Sequence, residues 1–222
     1  MQTTWSPFLL AGQTIHRVDF LPETFTDADL LWLPHHAQLT GCGRKRKTEH
    51  LAGRIAAAHA LHALNERRIP ARGAAGEPLW PEGIRGSISH SGRRALAVAL
   101  RQPQALVGLD CDALLSEDEA NEIQEVTIDS GEARCLVRSG FAFPLALTLA
   151  FSAKESLYKA LFPQVQRVMG FDCARVSALD DRTITLVLPQ AAGDFAASTR
   201  FVLHWTQLDN HVCTLIVRET RS

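Results

Sequence analysis

RGSISHSGRRALAVALRQPQALVGLDCD, residues 85–112, contains three runs of strand-forming residues in close succession. The first two runs meet at Ser91-Gly92, a pair of residues that is typical of a hairpin turn. The third run, LVGLDCD, begins within a few residues of the second. We therefore predict a small, mostly antiparallel sheet around the middle of the chain.

A long helix is predicted on each side of this stretch. The first runs from about Arg44 to Arg67, where apolar residues recur at intervals of three and four. The second runs from Pro144, at a permitted first position, to Phe162, with Pro163 as its stop. The remaining predictions are a first strand at 16–20, a helix through 28–39 bent at Pro34, a helix after the Ser116/Glu119 capping box, a short helix at 131–137, and strands within 174–189 and 200–220 that include an Asp209-Asn210 turn.

The order of these elements suggests two similar halves. Each half has a long helix with basic residues, then a polar loop, then a hairpin that ends in ALAVALRQ or VCTLIVRE. Helix followed by hairpin is a common unit, so this pattern alone leaves duplication open. If it holds, the halves span residues 1–104 and 105–222, and a ligand site is expected in the cleft between them.

Composition narrows the class of protein. The chain has 222 residues, 46% hydrophobic and 21% charged, with a net charge of −1, which suits a soluble globular protein and argues against bulk nucleic-acid binding. Five scattered cysteines without a C-x-x-C pair suggest neither a disulfide framework nor a zinc site. No signal peptide is recognisable, and FAFPLALTLAF is too short to span a bilayer. We expect a cytoplasmic protein.

Acidic residues on the third strand and on the second long helix are the first candidates for chemistry. Gly108, Asp110 and Asp112 point to one side of a strand, so two carboxylates lie side by side. Glu155 and Lys159 share one face of the helix. Neighbouring carboxylates repel unless a cation joins them, so the pattern favours a divalent metal ion and a phosphate-bearing substrate. The alternative is a solvated strand face and an ordinary surface ion pair.

Basic and hydroxyl residues in the first half are the second group of candidates. Arg44, Lys45, Arg46 and Lys47 open the first long helix, and Arg54 follows two turns later, which favours a phosphate or nucleic-acid ligand over a solvated basic face. In GSISHSG, Ser89 and His90 lie where a strand meets a tight turn and could converge on a phosphate. A Ser-His hydrolase is the sharper alternative, but the G-x-S-x-G elbow is missing.

Taken together, these motifs resemble the surfactin-type phosphopantetheinyl transferases. The matching stretches run in the family's order from about Leu30 to Lys159, and the last sixty residues match only in outline. They are LLWLPHHAQL, GRKRKTEHLAGRIAA, PLWPEGIRGSISHSG, ALAV with RQP, VGLDCD and ALTLAFSAKES. The resemblance implies an α+β fold of two pseudo-symmetric halves, each a small mostly antiparallel sheet with a long helix, and an active site in the cleft between them.

The resemblance also implies roles for individual residues. Mg²⁺ on the pyrophosphate of coenzyme A would be held by Asp110, Asp112 and Glu155. Glu155 would take the serine proton directly or through water, with Lys159 stabilising the developing charge. Lys154 and Lys159 would flank the reacting phosphate, Ser89 and His90 would contact phosphates, and Arg44, Arg46, Lys47 and Arg54 would receive the adenosine phosphate end. Two departures are Asp112, where the family commonly has glutamate, and Glu77, where a basic residue is frequent; Glu77 is not assigned to the coenzyme.

The implied reaction moves phosphopantetheine from coenzyme A to a serine of apo aryl or peptidyl carrier proteins of a siderophore synthase, in enterobactin-type biosynthesis. The carrier is expected to dock across 114–143, the coenzyme's phosphate end to bind the first half, and the enzyme to be a monomer without nucleic-acid partners or a transmembrane segment. Association with the inner membrane as part of a synthase complex stays open. Two other classes are a Mg²⁺-dependent phosphodiesterase acting on a coenzyme-like nucleotide and a nucleic-acid-binding module.

Overall fold

The computed structural model describes residues 1–219, so the end of the last predicted strand and of the second predicted half, residues 220–222, lies outside the described residues. The chain forms two compact units. The first comprises Met1–Ala105 with Glu219, and the second comprises Leu106–Arg218. Both units combine a long helix with a sheet, so the fold is α+β.

The first unit is built on a four-stranded antiparallel sheet with the order β1-β2-β6-β5. Its strands are β1 (Gln2–Leu10), β2 (Gln13–Leu21), β5 (Arg85–Ser91) and β6 (Arg94–Leu100). Helix α1 (Arg44–His62) packs on this sheet through small residues that are fully or nearly fully buried, Ala52, Ala56, Ala57 and Ala60. Short side chains allow a helix to lie close to a sheet, so the basic start of α1 is held near the strand that carries Ser89.

The segment between α1 and β5 contains a miniature hairpin. Strand β3 (Ala71–Arg72) pairs with β4 (Pro78–Leu79), and Arg72 lies opposite Pro78. Three short 3-10 helices, Pro22–Thr24, Asp27–Trp32 and His36–Leu39, connect β2 to α1.

The second unit has a five-stranded sheet with the order β7-β11-β10-β9-β8. The strands are β7 (Ala105–Ala113), β8 (Arg175–Leu179), β9 (Thr183–Val187), β10 (Arg200–Leu208) and β11 (His211–Glu219). Helices α2 (Glu117–Thr127), α3 (Ser130–Arg138) and α4 (Phe143–Val165) follow β7, and a 3-10 turn, Phe171–Cys173, precedes β8. Helix α4 is buried along much of its length, with Leu147, Leu149 and Leu157 inaccessible to solvent.

Several predicted elements are confirmed. Strands β5 and β6 form a hairpin whose two-residue turn is Gly92-Arg93, one residue later than predicted, with Gly92 at φ 58°. The capping box of Ser116 and Glu119 starts α2. Asp209, at φ 57°, opens the turn between β10 and β11.

Other predictions were wrong in detail. Strand β1 was missed, because its alternation is broken by polar residues and every residue except Phe8 and Leu10 is exposed. The bent helix through 28–39 is two 3-10 helices, since Pro34 lacks the N–H that a continuous helix requires. Helix α1 ends at His62 rather than Arg67. Pro163 lies inside the last turn of α4, and the left-handed Gln166 (φ 50°) ends that helix.

No helix in residues 1–219 is both long enough and apolar enough to cross a membrane.

Candidate active site

Strand β7 and helix α4 approach each other closely at Gly108. A Cβ atom at this position would overlap the carbonyl oxygen of Ser156 and lie 3.0 Å from the Cβ of Ala160. Only glycine therefore allows the helix backbone to come so near the strand. The same strand face continues with Asp110, whose carboxylate meets side chains of α4.

Lys159 joins the helix to the strand. Its Nζ donates to Asp110 Oδ1 at 2.6 Å and to the carbonyl oxygen of Leu109 at 3.1 Å. Asp110 is 5% exposed, and the side chain of Lys159 is 28% exposed. The ammonium group therefore keeps one side open to solvent while it neutralises a buried carboxylate.

A hydroxyl network holds the other oxygen of Asp110. Ser152 Oγ donates to Asp110 Oδ2 at 2.8 Å, so its contact with Thr214 Oγ1 at 2.9 Å must be one in which Thr214 donates. Ser156 Oγ lies 2.8 Å from Thr214 Oγ1 and 3.0 Å from the carbonyl oxygen of Thr214. All three hydroxyl residues are fully buried. The network fixes Asp110 between α4 and β11.

The carboxylates of this cluster differ in proton affinity. Burial, followed by the charge of Asp110, raises the pKa of Asp112 to about 8. The same two causes raise the pKa of Glu155. Burial also opposes ionisation of Asp110, but the Lys159 ammonium overcomes it and holds the pKa of Asp110 below its usual value. One ionised carboxylate beside two with raised proton affinity is an arrangement typical of catalytic sites.

The chemistry of the donors suits a hard divalent cation. Asp110, Asp112 and Glu155 offer carboxylate oxygens, the ligands that Mg²⁺ binds in proteins, and they repel one another as they stand. In the part of the chain that the structure describes, no three aspartate, glutamate, histidine or cysteine side chains are arranged closely enough to hold a metal ion. The three predicted ligands are thus neighbours rather than a preformed cage.

Lys154 has a different environment from the one expected. Its Nζ donates to Thr127 O at 2.7 Å and to Phe171 O at 2.9 Å, and it forms an ion pair of 2.8 Å with Glu132 Oε1. The side chains of Lys154 and Glu132 are 2% and 4% exposed. Three acceptors inside the protein therefore occupy the three N–H groups that a phosphate would need.

The basic run at the start of α1 divides into two groups. Arg44 donates to the backbone oxygens of Pro22 and Phe25 at 2.8 and 2.9 Å, and Lys47 pairs with Asp27 at 2.9 Å. These two cations hold the connection that precedes the helix, whereas the sequence predicted phosphate contacts for them. Arg46 is exposed.

Arg54 is buried and donates to the backbone oxygens of Pro70 and Ala71. Burial and the charges of Arg46 and Arg72 lower the pKa of Arg54 to about 10. The structure therefore brings Arg46 and Arg54 together, as the sequence predicted, and adds Arg72 to them.

Ser89 and His90 are neighbours at the end of β5. Ser89 is 4% exposed, and His90 is partly exposed with Nδ1 3.8 Å from Glu49 Oε2, on the first turns of α1. The imidazole therefore lies beside the same helix that carries Arg46 and Arg54.

Five residues of functional interest were not identified from the sequence: Glu132, Ser152, Ser156, Thr214 and Arg72. Glu132 completes a capping box with Asp129 at the start of α3, and the three-residue spacing of this pair could have been recognised in the sequence. Ser152 lies one turn before Ser156 on α4, but the helix period does not show that both contact Thr214, which lies about sixty residues further along the chain. Arg72 lies in the segment predicted from the sequence only as a polar loop.

Comparison with known proteins gives the family. Residues 35–100 match the model of the 4′-phosphopantetheinyl transferase N-terminal domain, and residues 106–216 match that of the 4′-phosphopantetheinyl transferase superfamily. The chain belongs to this superfamily of enzymes.

Curated relatives agree with this result. Over 221 residues the chain is 47% identical to enterobactin synthase component D of Salmonella typhi, with 100% of this chain and 93% of that protein covered. Identity to the protein of the same name from Escherichia coli (strain K12) is 42% over 215 residues, covering 97% of this chain and 98% of the other. A 4′-phosphopantetheinyl transferase of Mycobacterium tuberculosis is 32% identical over 157 residues, 68% of this chain and 67% of that protein.

Proposed function

We propose that this enzyme transfers the phosphopantetheine group of coenzyme A to a serine of apo carrier proteins. The observation that supports this reaction best is the cluster of Asp110, Asp112 and Glu155 around Lys159 in the unit that matches the superfamily model. Phosphoryl transfer has two requirements. Negative charge on the phosphate under attack must be stabilised, and a base must lie near the attacking hydroxyl. This cluster offers groups for both tasks.

Asp110, Asp112 and Glu155 are the residues that would hold Mg²⁺. When bound, the ion would neutralise the coenzyme's pyrophosphate and stabilise the charge that develops as the phosphoanhydride bond breaks. Of the three carboxylates, Asp110 is ionised and held in a fixed orientation, because Ser152 donates a hydrogen bond to its Oδ2. Asp112 and Glu155 would gain most from a cation, because burial and then the charge of Asp110 raise their pKa values and disfavour their ionised forms.

Glu155 is the proposed base. The serine oxygen of the carrier forms a bond to the β-phosphorus of coenzyme A, the bond from that phosphorus to the bridging oxygen breaks, and adenosine 3′,5′-bisphosphate leaves. The serine proton passes to Glu155 directly or through a water molecule. In the metal-free protein, burial and the charge of Asp110 raise the pKa of Glu155, which favours proton uptake. A bound cation would offset part of this rise, and transfer through a water molecule would then carry the proton. Lys159, whose ammonium is partly open to solvent, is placed to stabilise negative charge on the phosphate.

The first unit is proposed to bind the coenzyme's adenosine phosphate end. Arg46 and Arg54 supply positive charge, and Ser89 and His90 border α1. We assign coenzyme binding to residues 1–104, and catalysis and carrier docking to residues 105–222. Lys154 is left out of the phosphate site because three acceptors within the protein occupy its three N–H groups. Arg44 and Lys47 are left out because they bind the connection that precedes α1, whereas Arg54 lies near the charges of Arg46 and Arg72.

The proposed substrates are aryl or peptidyl carrier proteins of an enterobactin-type siderophore synthase. Relatives named enterobactin synthase component D, aligned over the full length of this chain, support this choice. Membership of the surfactin type is part of the proposal, and it rests on the order in which GSISH, GLDCD and FSAKES follow one another.

The docking surface is proposed to lie on α2 and α3. Within the predicted docking segment 114–143, the apolar residues Ile128 and Leu136 are buried, whereas Val126 is 70% and Val137 67% exposed. Val126 on α2 and Val137 on α3 are exposed apolar side chains that a partner could cover. We call Val126 and Val137 the valine pair.

Mass spectrometry of an apo carrier incubated with the enzyme, coenzyme A and Mg²⁺ tests the reaction. We expect a gain of one phosphopantetheine on one serine, and no gain when that serine is replaced by alanine. A parallel incubation without carrier measures breakdown of coenzyme A. Equal release of adenosine bisphosphate with and without carrier would identify a phosphodiesterase instead.

A further inference from the structure

Three guanidinium groups gather where α1 meets the β3–β4 hairpin. The Nη2 atoms of Arg72 and Arg46 lie 3.7 and 3.9 Å from the point where a Cβ on Gly76 would stand. Arg54 donates to the backbone oxygens of Pro70 and Ala71, at the residues just before Arg72. The hairpin turn is therefore bordered by Arg46 from the helix and Arg72 from the strand, with Arg54 behind them.

This arginine cluster lacks a counter-charge. Among residues 1–219, no aspartate or glutamate forms an ion pair with Arg46, Arg54 or Arg72. Like charges repel, and after burial the charges of Arg46 and Arg72 are the next causes that lower the pKa of Arg54. Arg72 Nε is buried and has no acceptor in the described part of the chain. A buried donor without a partner costs free energy, and a bound anion would supply the missing acceptor.

Nearby side chains do not supply that anion. The Glu77 carboxylate lies against Gly73, and its Oε2 is itself buried without a donor. His35 and His50 share a contact of 2.8 Å between their Nε2 atoms, and burial and the neighbouring arginines lower the pKa of both. The histidines are thus neutral and add no charge, so the cluster's positive charge belongs to the three arginines.

A phosphate group matches this arrangement. Guanidinium groups bind phosphate oxygens through paired N–H donors, and several can share one tetrahedral oxyanion. We propose that Arg72 is a third phosphate-binding arginine, which contacts the phosphate on the ribose of coenzyme A together with Arg46 and Arg54. This assignment rests on the proposed function. It places a coenzyme-binding residue in the β3–β4 hairpin, on strand β3 opposite Pro78.

Calorimetric titration of Arg72→Gln with three probes tests the assignment. The probes are coenzyme A, adenosine 3′,5′-bisphosphate and dephospho-coenzyme A, the last of which lacks the ribose phosphate. We expect affinity for the first two to fall roughly tenfold, the size of one charge-assisted hydrogen bond, and affinity for the third to stay unchanged. Arg72→Lys, which keeps the charge but loses the paired donors, should lie between wild type and Arg72→Gln.

Two further variants serve as controls. Arg67→Gln removes a cation from an exposed position in the same segment and should leave all three affinities unchanged. Glu77→Gln tests whether Glu77 is the true partner of Arg72. If it is, Glu77→Gln and Arg72→Gln will lower the unfolding temperature alike and leave the preference for coenzyme A over dephospho-coenzyme A intact, which overturns the proposal. Failure of the wild-type protein to bind coenzyme A would overturn it as well.

The binding readout separates this inference from the proposed function. Wild-type enzyme that binds coenzyme A in an Arg72-dependent way but modifies no carrier would contradict only the transfer reaction. Enzyme that modifies carriers, with Arg72→Gln retaining the wild-type preference for coenzyme A, would contradict only the role of Arg72.

Discussion

Lys159 Nζ lies 2.6 Å from Asp110 Oδ1, and this ion pair joins helix α4 to strand β7 in the centre of the candidate active site. The pair has a structural effect as well as a chemical one. Asp110 is buried, and without the lysine its carboxylate would lose the ammonium group that neutralises it.

Lys159→Gln should therefore reduce stability as well as activity. Breaking a buried ion pair by removal of one partner costs about 3 kcal/mol at the low end, and partial exposure of Lys159 favours that end. Urea unfolding measures the free energy, and carrier modification measures activity. Lys45→Gln, at a side chain 89% exposed, is the matched control and should change neither. Unaltered unfolding of Lys159→Gln would show that the ion pair contributes nothing to stability.

Asp112→Asn should have the opposite effect on stability. Burial and the Asp110 charge disfavour ionised Asp112, so a neutral amide of similar size relieves repulsion in the metal-free protein. We expect the unfolding temperature without Mg²⁺ to rise by a few degrees and transfer activity to fall steeply. The comparison is Asp110→Asn, which removes the charge that Lys159 pairs with and should lower the unfolding temperature. A fall in both variants would mean that Asp112 stabilises the fold.

Replacement of Lys154 should affect folding rather than coenzyme binding. Lys154→Met leaves Glu132 buried without its cation, at a cost of about 3–5 kcal/mol. The double variant Lys154→Met/Glu132→Gln should recover part of this loss. In protein that remains folded, the KM for coenzyme A should equal that of wild type. A raised KM in the double variant would restore the phosphate role predicted from the sequence.

Stability should decrease in mild acid because of His50. Burial, Arg54 and His35 lower the pKa of His50 from 6.5 to about 3 in the folded state. Below pH 6.5 the unfolded chain binds a proton that the folded chain does not, so the free energy of unfolding falls as pH falls, by up to about 1.4 kcal/mol per unit for one such group. His50→Gln should flatten this slope between pH 6.5 and pH 4, measured by urea unfolding at several pH values. An unchanged slope would exclude His50 as its source.

Polar substitution in the valine pair should weaken carrier recognition alone. Val126→Asp or Val137→Asp changes an exposed side chain, so the fold and coenzyme A affinity should be retained while the KM for the carrier rises. Val202→Asp, at a residue 50% exposed on β10, is the control for a new surface charge. Equal effects from all three substitutions would remove the docking role of α2 and α3.

The sequence predicted the local elements of the site better than its contacts. Strand alternation is enough to place Asp110 and Asp112 on one face, and the helix period is enough to pair Glu155 with Lys159. Neither period can show that Lys159 turns to Asp110 while Lys154, five residues earlier, turns to Glu132. That difference arises from packing of α4 between β7 on one side and the α2–α3 connection on the other, which depends on residues distant in sequence.

The basic run illustrates the same limit. Four consecutive cations look equivalent in the sequence, yet the helix turns Arg44 and Lys47 towards the preceding connection and leaves Arg46 near Arg54 and Arg72. Arg72 could not be found by periodicity, because the β3–β4 hairpin is only two residue pairs long.

The close approach at Gly108 has a consequence for how this enzyme could change over time. Gly108 sets the distance between α4 and β7. A methyl group at this position would push the helix away from the strand and so move Lys159 away from Asp110. Gly108 takes no part in the chemistry, yet we expect substitutions of Gly108 to be tolerated as poorly as substitutions of the reacting residues. The distance between Lys159 and Asp110 therefore depends on a residue whose side chain is a single hydrogen atom.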